Sequence, residues 1–585
     1  MRLASGLIGA LFLVSAAAGA TQRSGDVGVT ATPMVSCETK HGYREYRFTV
    51  RNYSTTQPHV VTVFLPHDVD DNGSPLSRIS RSVAVGPGAA ANVSLLQCSL
   101  GIEGNGAGFR TREERMTDRT YVEVNVREHG SWYYTNPDEF KPVIFVSRGV
   151  AAAPNLGSPD DVTVGRAEQP VSQWSSDWLA YSGFDGVIVA GGEMATMPPH
   201  VRLALMRYVE CGGTLMVIGD WEPPASWRRV ETLPTGAAVH DALFGRCIVG
   251  ASGSAGDVSA FMASAQETLD PWRHTADVLA AHKAFPVTES LSVPVRGMMG
   301  LMLAFVVLIG PVNLLILRRM RRRVWLFWTA PAFSLLTCGL VFGYSILSEG
   351  LQGRYRTLSL TVLDETTGRA TSIGWTASYS PLTPGEGFHF SCQTELTPQV
   401  AQPYYAVFGR RSEASQARTM DWTEDQHLAS GWVSARVPAH FALRKSENRR
   451  ERLTVRAGVD GRLSIVNGLG APIVKLFLAD RDGRWYSAER IPAGAAAEVR
   501  AEPVPTPDPA AKGRRRSLRD LYGANWVTGI PALHQRPEDY LRPGTYLAVL
   551  EGNPFVEAAL AGARPTKCET VVFGILGERT DGSSG

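Results

Sequence analysis

The sequence lacks the residue patterns by which most metal, redox and nucleotide enzymes announce themselves. It has no C-x-x-C pair, no H-E-x-x-H, no acidic calcium loop and no closely spaced Cys/His quartet. These absences exclude a thioredoxin-like redox motif, a zinc ribbon, a zincin site and an EF-hand, so no metal or cofactor is expected. The glycine-rich stretch GIEGNGAGF has no Gly-Lys-Ser/Thr after it and no helix pattern opening beyond it, which makes it a loop rather than a phosphate cradle. A charge excess is missing too. Lys and Arg total 58 against 56 Asp and Glu, a net charge of +2, whereas nucleic-acid proteins carry a clearly basic domain or face.

Long apolar runs, by contrast, are present. GMMGLMLAFVVLIGPVNLLIL (297–317) and VWLFWTAPAFSLLTCGLVFGYSIL (324–347) carry no charge, and each reaches the roughly 20 residues that cross a hydrocarbon core. Between them RRMRRR (318–323) holds Arg318, Arg319, Arg321, Arg322 and Arg323. Such a cluster stays on the cytoplasmic side, so two spans are expected with almost all remaining mass outside. Within them Pro311 and Pro331 are expected to loosen or kink their helices, and Asn313 to hydrogen bond between helices. No charge lies inside either run, which argues against a proton or ion pathway.

The amino terminus fits that address. Arg2, the apolar LIGALFLV and the small residues ending at Ala18 and Ala20 read as a signal peptide over residues 1–20. The expected location is the bacterial cytoplasmic membrane, with the bulk of the chain extracytoplasmic. Of seven cysteines, Cys338 lies in the second run, and Cys37, Cys98, Cys211, Cys247, Cys392 and Cys568 lie outside. An even number in an oxidising compartment suggests disulfides. Pairing within regions would give Cys37–Cys98, Cys211–Cys247 and Cys392–Cys568, although six cysteines leave the connectivity open.

Three regions surround the spans. Residues 27–140 alternate aromatic and β-branched residues with turn signals, as in YREYRFTVRNYS and HVVTVFLP, and predict an antiparallel β-sandwich. Residues 141–285 alternate short, wholly apolar strands (PVIFVSR, FDGVIVAGG, TLMVIG) with helix patterns, which predicts a parallel sheet covered on both faces. In HVRLALMRYVE, Val201, Leu205, Tyr208 and Val209 fall on one helical face, and Gly212-Gly213 supplies the stop. VSQWSSDWLAYS is read as a further helix. Residues 351–580 read as β-rich, interrupted by a Pro/Ala/Arg-rich insertion near 501–516. The expected architecture is thus a multidomain α+β membrane protein.

The stretch FDGVIVAGGEMATMPPHVRLALMRYVECGGTLMVIG resembles the class I glutamine amidotransferase-like, flavodoxin-like domains of exported, membrane-anchored bacterial proteins, and LIGPVNLLILRRMRRRVWLFWTAPAF resembles the membrane segment of such proteins. The resemblance covers about residues 141–350. It implies a cysteine nucleophile on a strand-to-helix elbow and a downstream His-x-Glu. Here the elbow reads Gly219-Asp220-Trp221, and none of the 12 histidines precedes glutamate by two positions. Cys211 comes before the strand, at a helix carboxyl end whose dipole disfavours a thiolate. Two carboxylates, Glu193 after GVIVA and Asp220 after TLMVI, are the weak catalytic candidates at the sheet rim. Trp174, Trp178, Trp221 and Trp227 are candidates for a carbohydrate or peptide groove, or for core packing.

These readings lead to the expectation of a non-catalytic interaction or scaffold protein anchored in the lipid bilayer. Its partners would be other envelope or membrane proteins, not nucleic acid. The alternatives are an extracytoplasmic hydrolase or lyase using the rim carboxylates, or an accessory subunit of an envelope transport or export complex.

Overall fold

The computed structural model describes residues 21–31, 39, 41–66, 76–98, 109–115, 121–126, 141–150, 155–158, 161–273, 278–288, 295–320, 325–349, 352–399, 418–457, 462–503, 517–522, 530 and 533–577. The expected signal segment, Cys37, Arg321, Arg322, Arg323 and most of the 501–516 insertion lie outside these residues. The protein is a mixed α/β chain dominated by sheet, with 43% of the described residues in strands.

Apolar strands without alternation need cover on both faces, and the Val143–Val146 strand is buried at every position. It lies in a seven-stranded sheet ordered Thr163–Arg166, Val143–Val146, Gly186–Ala190, Thr214–Ile218, Gly245–Ala251, Ala238–Ala242, Arg228–Thr232. The first five are parallel, and the last two turn back antiparallel. Helix Pro199–Glu210 starts on its proline and buries Val201, Leu205, Tyr208 and Val209. VSQWSSDWLAYS departs from the helix expectation. It forms two short 3-10 turns, Val171–Gln173 and Trp178–Tyr181, because Asp177 caps the second by accepting from Leu179 N–H at 3.0 Å and so restarts the chain direction.

The amino-terminal β region is not closed on itself. Strands Thr21–Ser24, Val27–Ala31, Tyr43–Asn52 and Ala90–Cys98 form one antiparallel sheet. The facing sheet runs Phe388–Phe390, Gln426–Ser430, Arg418–Asp421, Leu76–Val85, His59–Pro66, Phe109–Arg115, Tyr121–Val126. Three of its seven strands come from beyond the helical segment, and Arg418–Asp421 pairs parallel with Leu76–Val85. Trp422 then donates its indole N–H to Leu96 O at 2.9 Å and meets Tyr43 edge-on at 6.0 Å. The boundary drawn between 27–140 and 351–580 is therefore crossed by a sheet. Alternation marks which strand face is buried, and it carries no information about the strand that pairs alongside.

A nine-stranded sheet follows the helices, centred on Ala439–Asn448, Arg369–Tyr379, Arg354–Asp364 and Arg564–Ile575. One buried apolar cluster includes Phe48 of the first sheet, Val187 of the parallel sheet, Phe388 of the shared sheet and Leu443 of the nine-stranded one. The β regions and the parallel sheet accordingly share a core.

The helical segment contains Val295–Val307, a π turn Leu308–Val312, Asn313–Arg319 and Leu326–Glu349. Pro311 sits in the π turn, where its missing N–H and ring have widened the helix. Pro331 lies within helix Leu326–Glu349, in its second turn. Asn313 is 3% exposed and donates to Thr329 Oγ1 at 2.8 Å, joining the two helices. Among the described residues one helix, Met302–Arg319, is long and apolar enough by length and composition to cross a membrane. Leu303, Phe327, Trp328 and Leu335 are between 70% and 82% exposed.

Candidate functional site

Ala190 pairs with Ile218 at the ends of their parallel strands, so Glu193 and Asp220 leave from the same rim. The two then diverge in role. Glu193, on the short helix Gly191–Thr196, accepts from Gly149 N–H at 2.9 Å and from the Ser147 hydroxyl. The Glu193 carboxyl packs directly against Gly149, where a Cβ would sit 2.4 Å from its carboxyl carbon and displace it. Both oxygens of Glu193 are thus engaged in holding the loop after Val143–Val146. Asp220 is exposed. The residue before it, Gly219, has φ +92° and donates to Ala251 O at 3.0 Å. Gly219 carries no side chain that could act as a nucleophile.

The opposite end of the sheet holds Cys211. It is fully buried at the carboxyl end of helix Pro199–Glu210, and burial pushes its thiol well above the ordinary range. Cys247 is shifted in the same direction by the same cause. Neutral thiols of this kind are poor nucleophiles. All six described cysteines, Cys98, Cys211, Cys247, Cys338, Cys392 and Cys568, are free. The expected pairings Cys211–Cys247 and Cys392–Cys568 are therefore not formed. Cys392 instead contacts Glu424 O at 4.0 Å beside the shared sheet, while Cys568 lies on Arg564–Ile575 opposite Thr357 in the nine-stranded one. Cys98–Cys37 falls outside the described residues.

The tryptophans are core rather than groove. Trp174, Trp178 and Trp227 are at most 4% exposed, and Trp221 packs edge-on against Trp227 with centroids 6.1 Å apart. Trp178 donates to Gln393 O at 3.1 Å across the junction with the region beyond the helices, and Trp227 to Glu210 Oε1 at 3.3 Å within the parallel-sheet region. Among the described residues no group of three or more His, Cys, Asp or Glu side chains is placed to hold a metal ion.

That junction, absent from the sequence reading, is where most of the buried charge is found. Arg444 donates to both oxygens of Glu395 at 2.6 and 2.8 Å, to Tyr522 OH at 2.7 Å, to Cys211 O at 3.3 Å and to Ser182 O at 3.4 Å. Arg369 reaches Glu210 at 2.9 Å, and Arg519 reaches Glu267 at 2.9 Å and Ser264 O at 2.7 Å. On the other flank His41 meets Asp185 at 2.7 Å, and Tyr43 N–H donates to Ser182 Oγ at 2.9 Å. Burial raises Asp177 to about 7, and nearby Glu45, itself raised by burial, adds to the effect. No spacing rule links Arg444 to Glu395 or Cys211, so nothing short of the fold could have found these partners.

No protein family matches the chain, and no curated protein matches it. Among solved structures it matches a calcium-binding mutant of Bacteroides uniformis beta-glucuronidase 2, with 12% identity over 34% of this chain and a TM-score of 0.14. The chain spans 24% of that protein's length, and a likeness this slight carries no argument about either fold or activity.

Proposed function

We propose that this chain is a non-catalytic interaction or scaffold protein of the bacterial envelope, held in the cytoplasmic membrane by a two-helix hairpin. In this reading the arginine-rich turn is cytoplasmic and the β regions form one extracytoplasmic body with a degenerate amidotransferase-like, flavodoxin-like domain. The observation that carries it is the parallel pairing of Arg418–Asp421 with Leu76–Val85. These strands lie on either side of the helices in sequence, and strands in one sheet must be on one side of a bilayer. An odd number of crossings between them is incompatible with that sheet, which favours a hairpin over a single span.

The loss of catalysis is supported by Gly219 at the elbow and by Glu193, whose oxygens are used by Gly149 and Ser147. A second reading, hydrolase or lyase chemistry at the rim, draws on Glu193 and Asp220 leaving the same end of the sheet. An accessory subunit of an envelope transport complex differs from the first reading only in the partner's identity. The test is mild cross-linking in intact cells followed by quantitative co-purification. Repeated recovery of the same envelope proteins, with Glu193→Gln and Asp220→Asn as wild type, is the expected result. Recovery of the chain alone, with either variant abolishing a deletion phenotype at normal abundance, would favour the enzyme.

A further inference from the structure

The nine-stranded sheet has one end at which the chain both departs for the helices and comes back. Strand Arg354–Asp364 starts there, paired with Tyr379 at the finish of Arg369–Tyr379 and with Arg564 at the start of Arg564–Ile575. Ala439 opens the next strand beside Ser378. On the departing side, Phe285 O accepts from His440 Nε2 at 3.1 Å and Pro286 O from Arg356 at 2.9 Å. Only five residue steps separate Glu349, the last of its helix, from Arg354. Extended chain covers about 17 Å in that many steps. The polar headgroup layer is about 5–8 Å deep on each side of the hydrocarbon.

This end has an unusual surface for a soluble face. Leu382 and Val437 are 51% and 47% exposed, in the loops that follow Tyr379 and precede Ala439. The two loops are tied by Arg436 N–H donating to Ser380 O at 2.8 Å, and Arg436 holds φ at +63°. Arg354 and Arg564 are exposed and sit directly opposite each other in the ladder, a like-charge pairing that is unfavourable unless an anion lies between them. Among the described residues neither makes an ion pair. The nearest acid on those strands, Glu569, lies farther along the sheet opposite Leu358 and is paired with Lys567 at 3.2 Å. Exposed apolar side chains and arginines at one end of a sheet suit an interfacial layer, where the first enter the acyl boundary and the second meet phosphate.

We propose that this end of the sheet is a second membrane contact, in which Leu382 and Val437 enter the bilayer interface and Arg354, Arg436 and Arg564 bind anionic phospholipid headgroups. The inference rests on the hairpin crossing the membrane. It adds that the body is seated on the lipid surface in one orientation instead of swinging on its connections.

The test uses the full chain in vesicles of phosphatidylcholine with or without phosphatidylglycerol, some lipids bearing a nitroxide quencher. A fluorescent amino acid replaces, one at a time, Leu382, Val437, Thr367 at the far tip of the same sheet, and Leu335 on the second helix. Quenching at Leu335, Leu382 and Val437 but not at Thr367 is expected. The quenching at Leu382 and Val437 should strengthen with phosphatidylglycerol and be lost in Arg354→Gln/Arg436→Gln/Arg564→Gln. Quenching at Leu335 with none at Leu382 and Val437 overturns the proposal and leaves the anchor standing. Equal quenching with and without phosphatidylglycerol overturns the headgroup contact. An unquenched Leu335 overturns the anchor itself.

Discussion

Arg444 holds Glu395 with both arms of its guanidinium, at 2.6 and 2.8 Å, where neither side chain is more than 1% exposed. The pair joins neighbouring strands, and the same guanidinium reaches back to Cys211 O and Ser182 O in the parallel-sheet region. It thereby binds the parts of the molecule before and after the helices. Buried ion pairs of this kind add less net stability than their geometry suggests, but removing one partner strands the other charge.

Glu395→Ala should accordingly destabilise the protein by about 3–5 kcal/mol, through the uncompensated Arg444 charge. Arg444→Met/Glu395→Leu should recover much of that loss. Thermal unfolding of the purified full chain in detergent measures both. A double variant no better than Glu395→Ala would show that the pair's value lies in the other bonds of Arg444.

Trp422 is 2% exposed and lies just after the strand that enters the amino-terminal sheet. Trp422→Ala should cost about 3–5 kcal/mol. Its signature is positional: limited proteolysis should open sites in residues 41–98, more than three hundred positions away in sequence. New cuts confined to 418–457 would contradict the shared sheet.

Asp177 gives the pH dependence a sign. Burial raises its pKa to about 7, so its contribution is complete below the ordinary carboxyl range and is lost as pH rises through about 7. His440, lowered by burial to about 4, acts in the opposite sense: its contribution is present above the free imidazole value and is lost as pH falls toward about 4. Asp177→Asn retains an acceptor for Leu179 N–H and removes the titration. Its unfolding temperature should match wild type near pH 4 and exceed it at pH 8. Parallel curves for the two proteins would rule this assignment out.

Asn313→Leu removes the Thr329 hydrogen bond and should weaken the helix pair by about 0.6–2 kcal/mol. Thr329→Val should cost about the same, and the double variant little more than either. Melting of the full chain in lipid nanodiscs, analysed as a double-mutant cycle, reads the coupling.

The sequence by itself determined the features that depend on short-range periodicity and composition. Uninterrupted apolar strands between amphipathic helices specify a parallel sheet, and the face of Pro199–Glu210 that is buried was legible from its spacing. What only the tertiary structure decided is which surfaces meet. Arg418–Asp421 joins Leu76–Val85, the six described cysteines stay free, Glu193 closes on Gly149, and Arg444 finds Glu395 and Cys211 O. A hydrophobic pattern states that a face must leave water and is indifferent to what covers it. The choice among covers is made by chain connectivity, strand register and the need to satisfy each buried polar group, and these act between residues hundreds of positions apart.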